Sequence, residues 1–537
     1  MPKYSKPSVA SRRQFLSLLG LGGLVCNKVS PVRMLMRSLV DGLIGSAQAA
    51  GQPALKNYVS ILQPGAPPRW LWDGFLNPGN ESISPNPCVQ TMLSEDLYSG
   101  DSTKVKYVAE PVTLPGGGTI YLPPLWNRNM PTSSGSFVPV NALLGNTMLI
   151  RGIDMQADLG HEIGPAKVLW PLDGVASLTG LVGDASSTTI PVVGMMGQHN
   201  YADPKELGYK SLSGTAPALV NDYSDPLSAI LSSFINTDSN VTQGLSRFNS
   251  KTALTAAMKS AMDELSTYAK SSLPGADVLY KSRANAEQLF MRAFGDLKAQ
   301  FQSLHMKYLG IVSACAQSAI PSIIPSTGTA YGLGSTFSSE LAPQFAIAEY
   351  LITNGFSSAI SMCTSYSCSV GGIANFHDEH ENDGLDRQKS VICHSFEYLS
   401  IAAMIYELKA ALQAKGLWEN TVIHLTGEFN RTPRSDGKGS DHASSANAMT
   451  IVSGAITKPI FIGNIASDSS NSYYQGTWGS AAPVSTSTGT RIITNDACAS
   501  TVATLLGIQS PVRAVPLVSL DASGVGVTSL AEAPKNV

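Results

Sequence analysis

Along this chain, short, mostly apolar runs alternate with longer stretches whose apolar residues return every three or four positions. Residues 57–63 form the first run and stop at Pro64-Gly65; residues 147–153, 357–363, 421–426 and 448–453 form later ones. Mostly apolar runs of this length fit strands covered on both faces of a parallel sheet. Residues 345–354 predict a helix. So do residues 388–415, which carry Phe396, Leu399, Ala402, Met404, Leu408 and Leu412 and meet a helix-ending glycine at Gly416. Residues 496–506 predict a closing helix that Asp496 or Asn495 can cap. Leu254, Met258, Met262, Leu265 and Tyr268 recur at helical spacing, and a second run covers 276–319, so 250–320 reads as a helical block capping or flanking the sheet. Its apolar stripe is core rather than a cofactor box. Residues 75–145, rich in Pro, Gly, Ser and Asn, read as loops and an insertion on the sheet edge. The alternation as a whole predicts an α/β domain: a mostly parallel central sheet flanked by helices, with loop-rich and helical insertions.

The first fifty residues obey another rule. Ser11-Arg12-Arg13-Gln14-Phe15-Leu16 sets an arginine pair directly before a Leu- and Gly-rich run over 16–25. A cationic segment, a short apolar segment and a small-residue site at Ala47-Gln48-Ala49 form the layout of a signal peptide, and the arginine pair resembles the twin-arginine consensus. The expectation is a twin-arginine signal over 1–49, export by the twin-arginine translocase to the periplasm or cell surface, and a domain over 50–537. That route carries folded proteins, often with a metal or cofactor already in place.

Charged residues make up 14% of the chain and the formal net charge is −3, which lacks the basic excess of a nucleic-acid binder. After the leader no apolar run is read as long enough to span a membrane, so no integral membrane segment is expected in the mature chain. Of the 7 cysteines, none forms a C-x-x-C pair, and neither a haem attachment motif nor a dinucleotide fingerprint is present, so a redox protein finds no support. Cys363 and Cys368 are close enough to pair in an oxidising compartment, although buried free thiols are common in cores.

Three loops behind predicted strands hold the informative polar residues, and sites in open α/β sheets form beyond the carboxyl ends of strands. Phe376-His377-Asp378-Glu379-His380-Glu381 mixes imidazole and carboxylate, which suits a divalent metal; Asp378 and His380, two apart, point the same way on an extended loop. Gly427-Glu428-Phe429-Asn430-Arg431-Thr432-Pro433-Arg434 comes directly after a buried strand. Glu428 sits where a ligand would, and Arg431 and Arg434 could fork onto an anionic substrate or form an ion pair with Glu428 or Asp436. Gly439-Ser440-Asp441-His442 adds an Asp-His pair close behind. His305, on a helical stripe, and His394 and His424, inside a helix and a strand, are weaker candidates.

Taken together, these segments resemble a bacterial family known only as a domain of unknown function, whose usual forms are Asp-Thr-His, Ser-Glu-Phe-Gly-Arg-Thr-Pro and Gly-Arg-Asp-His. Its members carry twin-arginine signals and are grouped with the alkaline phosphatase and sulfatase superfamily. The similarity runs over about 370–510 and includes the last helix, with Thr501-Val502-Ala503-Thr504-Leu505-Leu506-Gly507. Toward the front, Asp73-Gly74 matches the family's Asp-Gly, with Ala66-Pro67-Pro68-Arg69-Trp70-Leu71-Trp72 in place of its short turn. Gly160-His161 matches only the histidine of its Ser-His pair, so a serine nucleophile is not evident.

The resemblance implies an alkaline-phosphatase-like three-layer sandwich and a divalent metal (zinc, manganese or calcium, one or two ions) acting on a phosphate or sulfate ester. Carried over by residue, Asp378, His380 and His442 are the first ligand candidates, Glu428 and Asp441 the next, and Asp73 and His161 the matches at the front. Glu428 and Arg431 would serve catalysis. The expected function is an exported metal-dependent ester hydrolase. The rival is a non-catalytic relative that binds an envelope glycan or a partner protein, because fold alone does not dictate function.

Overall fold

The computed structural model describes residues 56–74, 110–155, 161, 176–186, 188, 190, 192–195, 218–220, 297–319, 340–380, 384–433, 440–443, 445–467, 478–486, 489–521 and 524–527. The chain divides into two compact units, Gln48–Ala229 with Lys298–Val537, and Met1–Ala47 with Ile230–Leu297. The second unit, apart from its last residue, lies outside the described residues, as do the expected signal peptide and most of the expected helical block.

A nine-stranded sheet organises the first unit. Its strands are β1 (Asn57–Gln63), β2 (Thr147–Asp154), β3 (Val193–Met195), β4 (Ala218–Val220), β5 (Ala359–Cys363), β6 (Thr421–Gly427), β7 (Asn447–Ser453), β8 (Ile460–Ile462) and β9 (Ile493–Thr494). The spatial order is β8-β2-β7-β6-β1-β5-β3-β4, with β9 also paired to β2. Every pairing is parallel except the two that β7 makes, with β6 and with β2. The strands read from the sequence are therefore present as β1, β2, β5, β6 and β7. The direction of β7 was not legible, since a mostly apolar run carries no polarity.

Helices cover both faces. The face presenting Tyr58, Leu62, Met148, Ile150, Val422 and Ile451 packs with α1 (Leu178–Ala185) and α5 (Asn495–Leu506) in one apolar cluster. The opposite face carries Gln63, which reaches Glu397 on the long helix α4 (Gly384–Ala414). Beside α4 runs α3 (Leu341–Thr353), whose Gln344 bonds both backbone groups of Cys363 at the end of β5. On α2 (Leu297–Ala319), Phe301, Tyr308, Ile311, Val312 and Cys315 form a buried stripe at helical spacing, and Tyr308 donates to Glu349 of α3 at 2.5 Å.

The ends of these helices obey local chemistry. Behind α4, Gly416 takes φ +66°, and Leu417 N–H reaches back to Leu412 carbonyl at 2.9 Å, a left-handed stop that glycine adopts without a Cβ penalty. The cap of α5 is Thr494, whose hydroxyl accepts from Ala497 N–H, rather than Asp496 or Asn495. Cys363 and Cys368 are separate buried thiols, not a disulfide.

Two further expectations change. Within 75–145, the described part holds short hairpins, Glu110–Thr113 with Thr119–Leu122 and Asn129–Pro131 with Phe137–Pro139, and its strand Asn129–Pro131 and turn Val140–Asn146 pack on α4. One stretch does reach spanning length: Ser390–Ala414 is long and apolar enough to cross a membrane, but 89% of its most apolar window is buried inside the protein, as in a core helix.

Candidate metal centre

Strand direction decides where the loops emerge. In parallel register Gln63 faces Gly427 and Leu62 faces Cys363, so β1, β5 and β6 end together. β2 is antiparallel to β7, which is antiparallel to β6, so β2 also ends on that edge, with Ile153 opposite Asn447. The loops after β1, β2, β5 and β6 therefore converge beyond the carboxyl ends of the strands, where sites form in sheets of this kind.

Four residues from three of these loops meet there. His161, Asp378, His380 and His442 offer ligand atoms that all lie within 4.8 Å of one another. Asp378 is the hub. One of its oxygens lies 3.0 Å from His380 Nε2 and 3.8 Å from His442 Nε2, and the other lies 3.2 Å from His161 Nε2. Ligand atoms around a tetrahedral zinc stand about 3.3 Å apart, so these separations suit one ion with small adjustments. Asp441 approaches from the rim, its Oδ1 3.3 Å from His380 Nδ1.

Glu428 lies at the floor, fully buried immediately after β6. Its Oε1 accepts from Gly65 N–H at 2.7 Å and lies 2.5 Å from His161 Nδ1. Its Oε2 has no hydrogen-bond partner among the described residues. A buried carboxylate oxygen left without a donor is costly, and a cation is one remedy. Exposure rises outward from Glu428 at 0% through Asp378 at 16% to His380 at 41%, so the cluster opens to solvent on one side.

The hairpin Asn430–Pro433 with Ser440–Ala443 sets Arg431 opposite His442 and Thr432 opposite Asp441. Ser440 fastens it to the Asp378 loop, since its N–H and hydroxyl both donate to Glu379 carbonyl, at 3.1 and 2.6 Å. Buried Phe429 packs against the rings of His161 and His442, at 5.2 and 4.2 Å between centroids.

Arg431 is fully buried and donates to Asp378, to Gly65 carbonyl at 2.8 Å and to Ala66 carbonyl at 2.7 Å. It therefore supports Asp378, where the sequence suggested a clamp on an anionic substrate. Ala66 holds φ +52° at this point, a conformation that costs a non-glycine residue about 1–2 kcal/mol. The bond from Arg431 helps to hold it. Tyr366 completes the support, donating to Asp378 Oδ2 at 2.8 Å.

The cluster reshapes its own protonation. Burial alone would lower the pKa of His161, but hydrogen bonds to Asp378 and Glu428 outweigh it and push the imidazole up to about 9. Burial would raise that of Asp378; the three histidines and the Arg431 charge overturn this and hold the carboxyl far below the usual range. The hub is an anion held by its donors, and a divalent cation bound there would take the place of the proton on His161.

Asp73 does not join the cluster. The segment replacing the short turn winds into a 3-10 turn at Arg69–Leu71, and Arg69, four residues before Asp73, pairs with it; both are fully buried. Asp73 also accepts from Thr450 hydroxyl at 2.6 Å. Trp72 of the same segment stacks on Trp126 and on Tyr398 of α4, so this stretch serves packing. Arg434 and Asp436 lie outside the described residues.

Sequence reasoning missed a second group. His377, His394 and Glu397 are all buried, with ligand atoms within 4.8 Å of one another. The available signal was the i, i+3 spacing of His394 and Glu397 on a predicted helix, which puts both on one face.

Residues 369–476 match the family described as "Protein of unknown function (DUF1501)". That segment carries Asp378, His380, Glu428, Arg431, Asp441 and His442, whereas Asp73 and His161 lie before it. No curated protein and no solved structure matches the chain.

Proposed function

We propose that this protein is an exported, metal-dependent hydrolase of phosphate or sulfate esters. The observation that carries the reading is the convergence of His161, Asp378, His380 and His442 over the unpartnered Oε2 of Glu428, open to solvent on one side. These residues would hold a zinc, manganese or calcium ion, with Asp441 at the rim. Such an ion supplies Lewis-acid stabilisation of charge developing on an ester oxygen. The protein's part is to keep the ligands in place: Arg431 and Tyr366 fix Asp378, and Gly65 N–H fixes Glu428. The arginine pair at Arg12-Arg13 supports export through the twin-arginine translocase.

The test is metal content and turnover together. The mature chain, loaded in turn with Zn²⁺, Mn²⁺ or Ca²⁺, should hydrolyse an aryl phosphate or an aryl sulfate. The His380→Ala/His442→Ala variant should lose the rim ion and at least about a hundredfold in rate, as loss of direct ligands exceeds the 10–100-fold cost of weakening their supports. A wild-type protein that binds metal at this cluster yet hydrolyses neither ester class would point to the binding relative instead.

A further inference from the structure

The segment 377–380 faces two ways. Its side chains point alternately to two sides. Asp378 and His380 enter the cluster described above, while His377 and Glu379 turn inward against α4. There they meet His394 and Glu397 in a second, enclosed group.

The outer atoms of this group are engaged by partners of fixed polarity. His377 Nδ1 lies 2.7 Å from Pro64 carbonyl, which can only accept, so Nδ1 carries a proton, and Nε2 points at Glu397 Oε2, 2.7 Å away. His394 Nε2 lies 2.7 Å from Glu379 Oε1, and its Nδ1 has no hydrogen-bond partner among the described residues. Glu397 Oε1 accepts from Gln63 Nε2 at 3.1 Å, and Arg69 in turn donates to Gln63 at 2.7 Å. A metal-binding histidine commonly donates its other N–H to a carbonyl or carboxylate, and both histidines here have such a partner in place.

Charge counting points the same way. Glu379 and Glu397 are two buried carboxylates. Arg69 is already paired with Asp73. Two imidazolium ions could balance them, but the imidazolium of His394 would bury an N–H at Nδ1 with no acceptor. One divalent cation would balance both carboxylates with both imidazoles neutral.

We propose that His377, His394 and Glu397 bind a divalent metal ion of the zinc class in a closed, structural site distinct from the solvent-open cluster. Two imidazoles and a carboxylate are ordinary zinc ligands, and full enclosure suits a structural ion. The site ties the 377–380 loop to α4 and so fixes the platform from which Asp378 and His380 project.

The experiment uses the full mature chain carrying His380→Ala/His442→Ala, loaded with Zn²⁺ and desalted. Metal analysis should find about one zinc per chain, lost when His394→Gln is added. A folded His380→Ala/His442→Ala protein without zinc overturns the proposal, and so does undiminished zinc after His394→Gln. X-ray absorption on the zinc-loaded double variant, which leaves the buried residues unchanged, decides the question even if His394→Gln prevents folding. Two imidazoles and a carboxylate around zinc are expected; an all-oxygen or single-imidazole shell overturns the site. Failure here is separable from failure of the hydrolase reading, which turns on the metal that His380 and His442 hold.

Discussion

At the scale of single residues, burial and local partners decide which polar groups serve the site and which serve the core. Asp73 and Asp378 are both carboxylates beyond strand ends, yet Asp73 has Arg69 four residues before it and is spent on that pair. Asp378 instead faces three histidines with Arg431 behind it. His424 shows the opposite case, an imidazole held in the sheet. It lies 3.0 Å from Tyr58 hydroxyl, and burial first, with the Arg69 charge second, pushes its pKa down to about 4 from 6.5. Between those two values the unfolded chain binds the proton and the folded chain does not, so stability rises with pH across this window. The contribution is present above pH 6.5 and lost as pH falls through about 4. Its full size is about 3 kcal/mol, from the cost of each pKa unit. His424→Gln keeps a partner for Tyr58 and removes the titration. In urea unfolding of the chelated protein, the difference between wild type and variant should grow steadily from pH 4 to 6.5. A constant difference across that range would show that His424 does not titrate on unfolding.

At the scale of elements, one glycine shapes the strand that leads to His161. The register between β2 and β7 shifts at Asn447/Ala448, with Ile153 opposite Asn447 and Arg151 opposite Ala448, so Gly152 is the extra residue of a bulge. It takes φ +67°, and a Cβ there would meet Asn464 carbonyl oxygen at 1.9 Å. Bulges of this kind bend a strand and re-aim the residues beyond them, and this one sits at the end of β2, just ahead of the loop carrying His161. Gly152→Ala combines a disfavoured backbone conformation with a collision against backbone, and should destabilise by roughly 2–4 kcal/mol. A thermal midpoint within about a degree of wild type would mean that the bulge relaxes without cost. Local patterns of this sort divide the legible from the illegible. β1, β2, β5, β6 and β7 were legible because each is a short, mostly apolar run between turn residues. The ligand loops were legible because imidazole and carboxylate crowd together after two of the strand runs. The buried His377, His394 and Glu397 were not, because their meeting depends on how α4 is rotated against a loop, which no local pattern encodes. Neither was the fate of Asp73, which depends on a 3-10 turn that brings Arg69 back onto it.

At the scale of the whole molecule, the segment that matches a known family is not a structural unit. Residues 369–476 contain α4, β6, β7 and β8 with the hairpin that carries Asp441 and His442. Yet β6 lies between β7 and β1, β7 between β6 and β2, and β8 pairs with β2. Both β1, at 57–63, and β2, at 147–154, come from outside the segment. Without them β6 loses its parallel neighbour, β7 and β8 lose their link, and the apolar face of α4 loses the layer it covers. The site is divided in the same way, because Gly65 holds Glu428 and His161 completes the cluster from the front half. Strands with unpaired edges and an uncovered apolar helix do not make an independent core. An isolated 369–476 fragment should therefore show no cooperative thermal transition, rapid amide exchange throughout α4 and no zinc retention after desalting. Chain 48–537 should show all three in the opposite sense. A sharp transition with slow exchange in the fragment would show that the segment folds by itself and that β1 and β2 merely dock onto it. Failure of the fragment would mean that the ligand loops depend on a sheet assembled from both halves of the chain, which is how three separate loops come to share one metal-sized space.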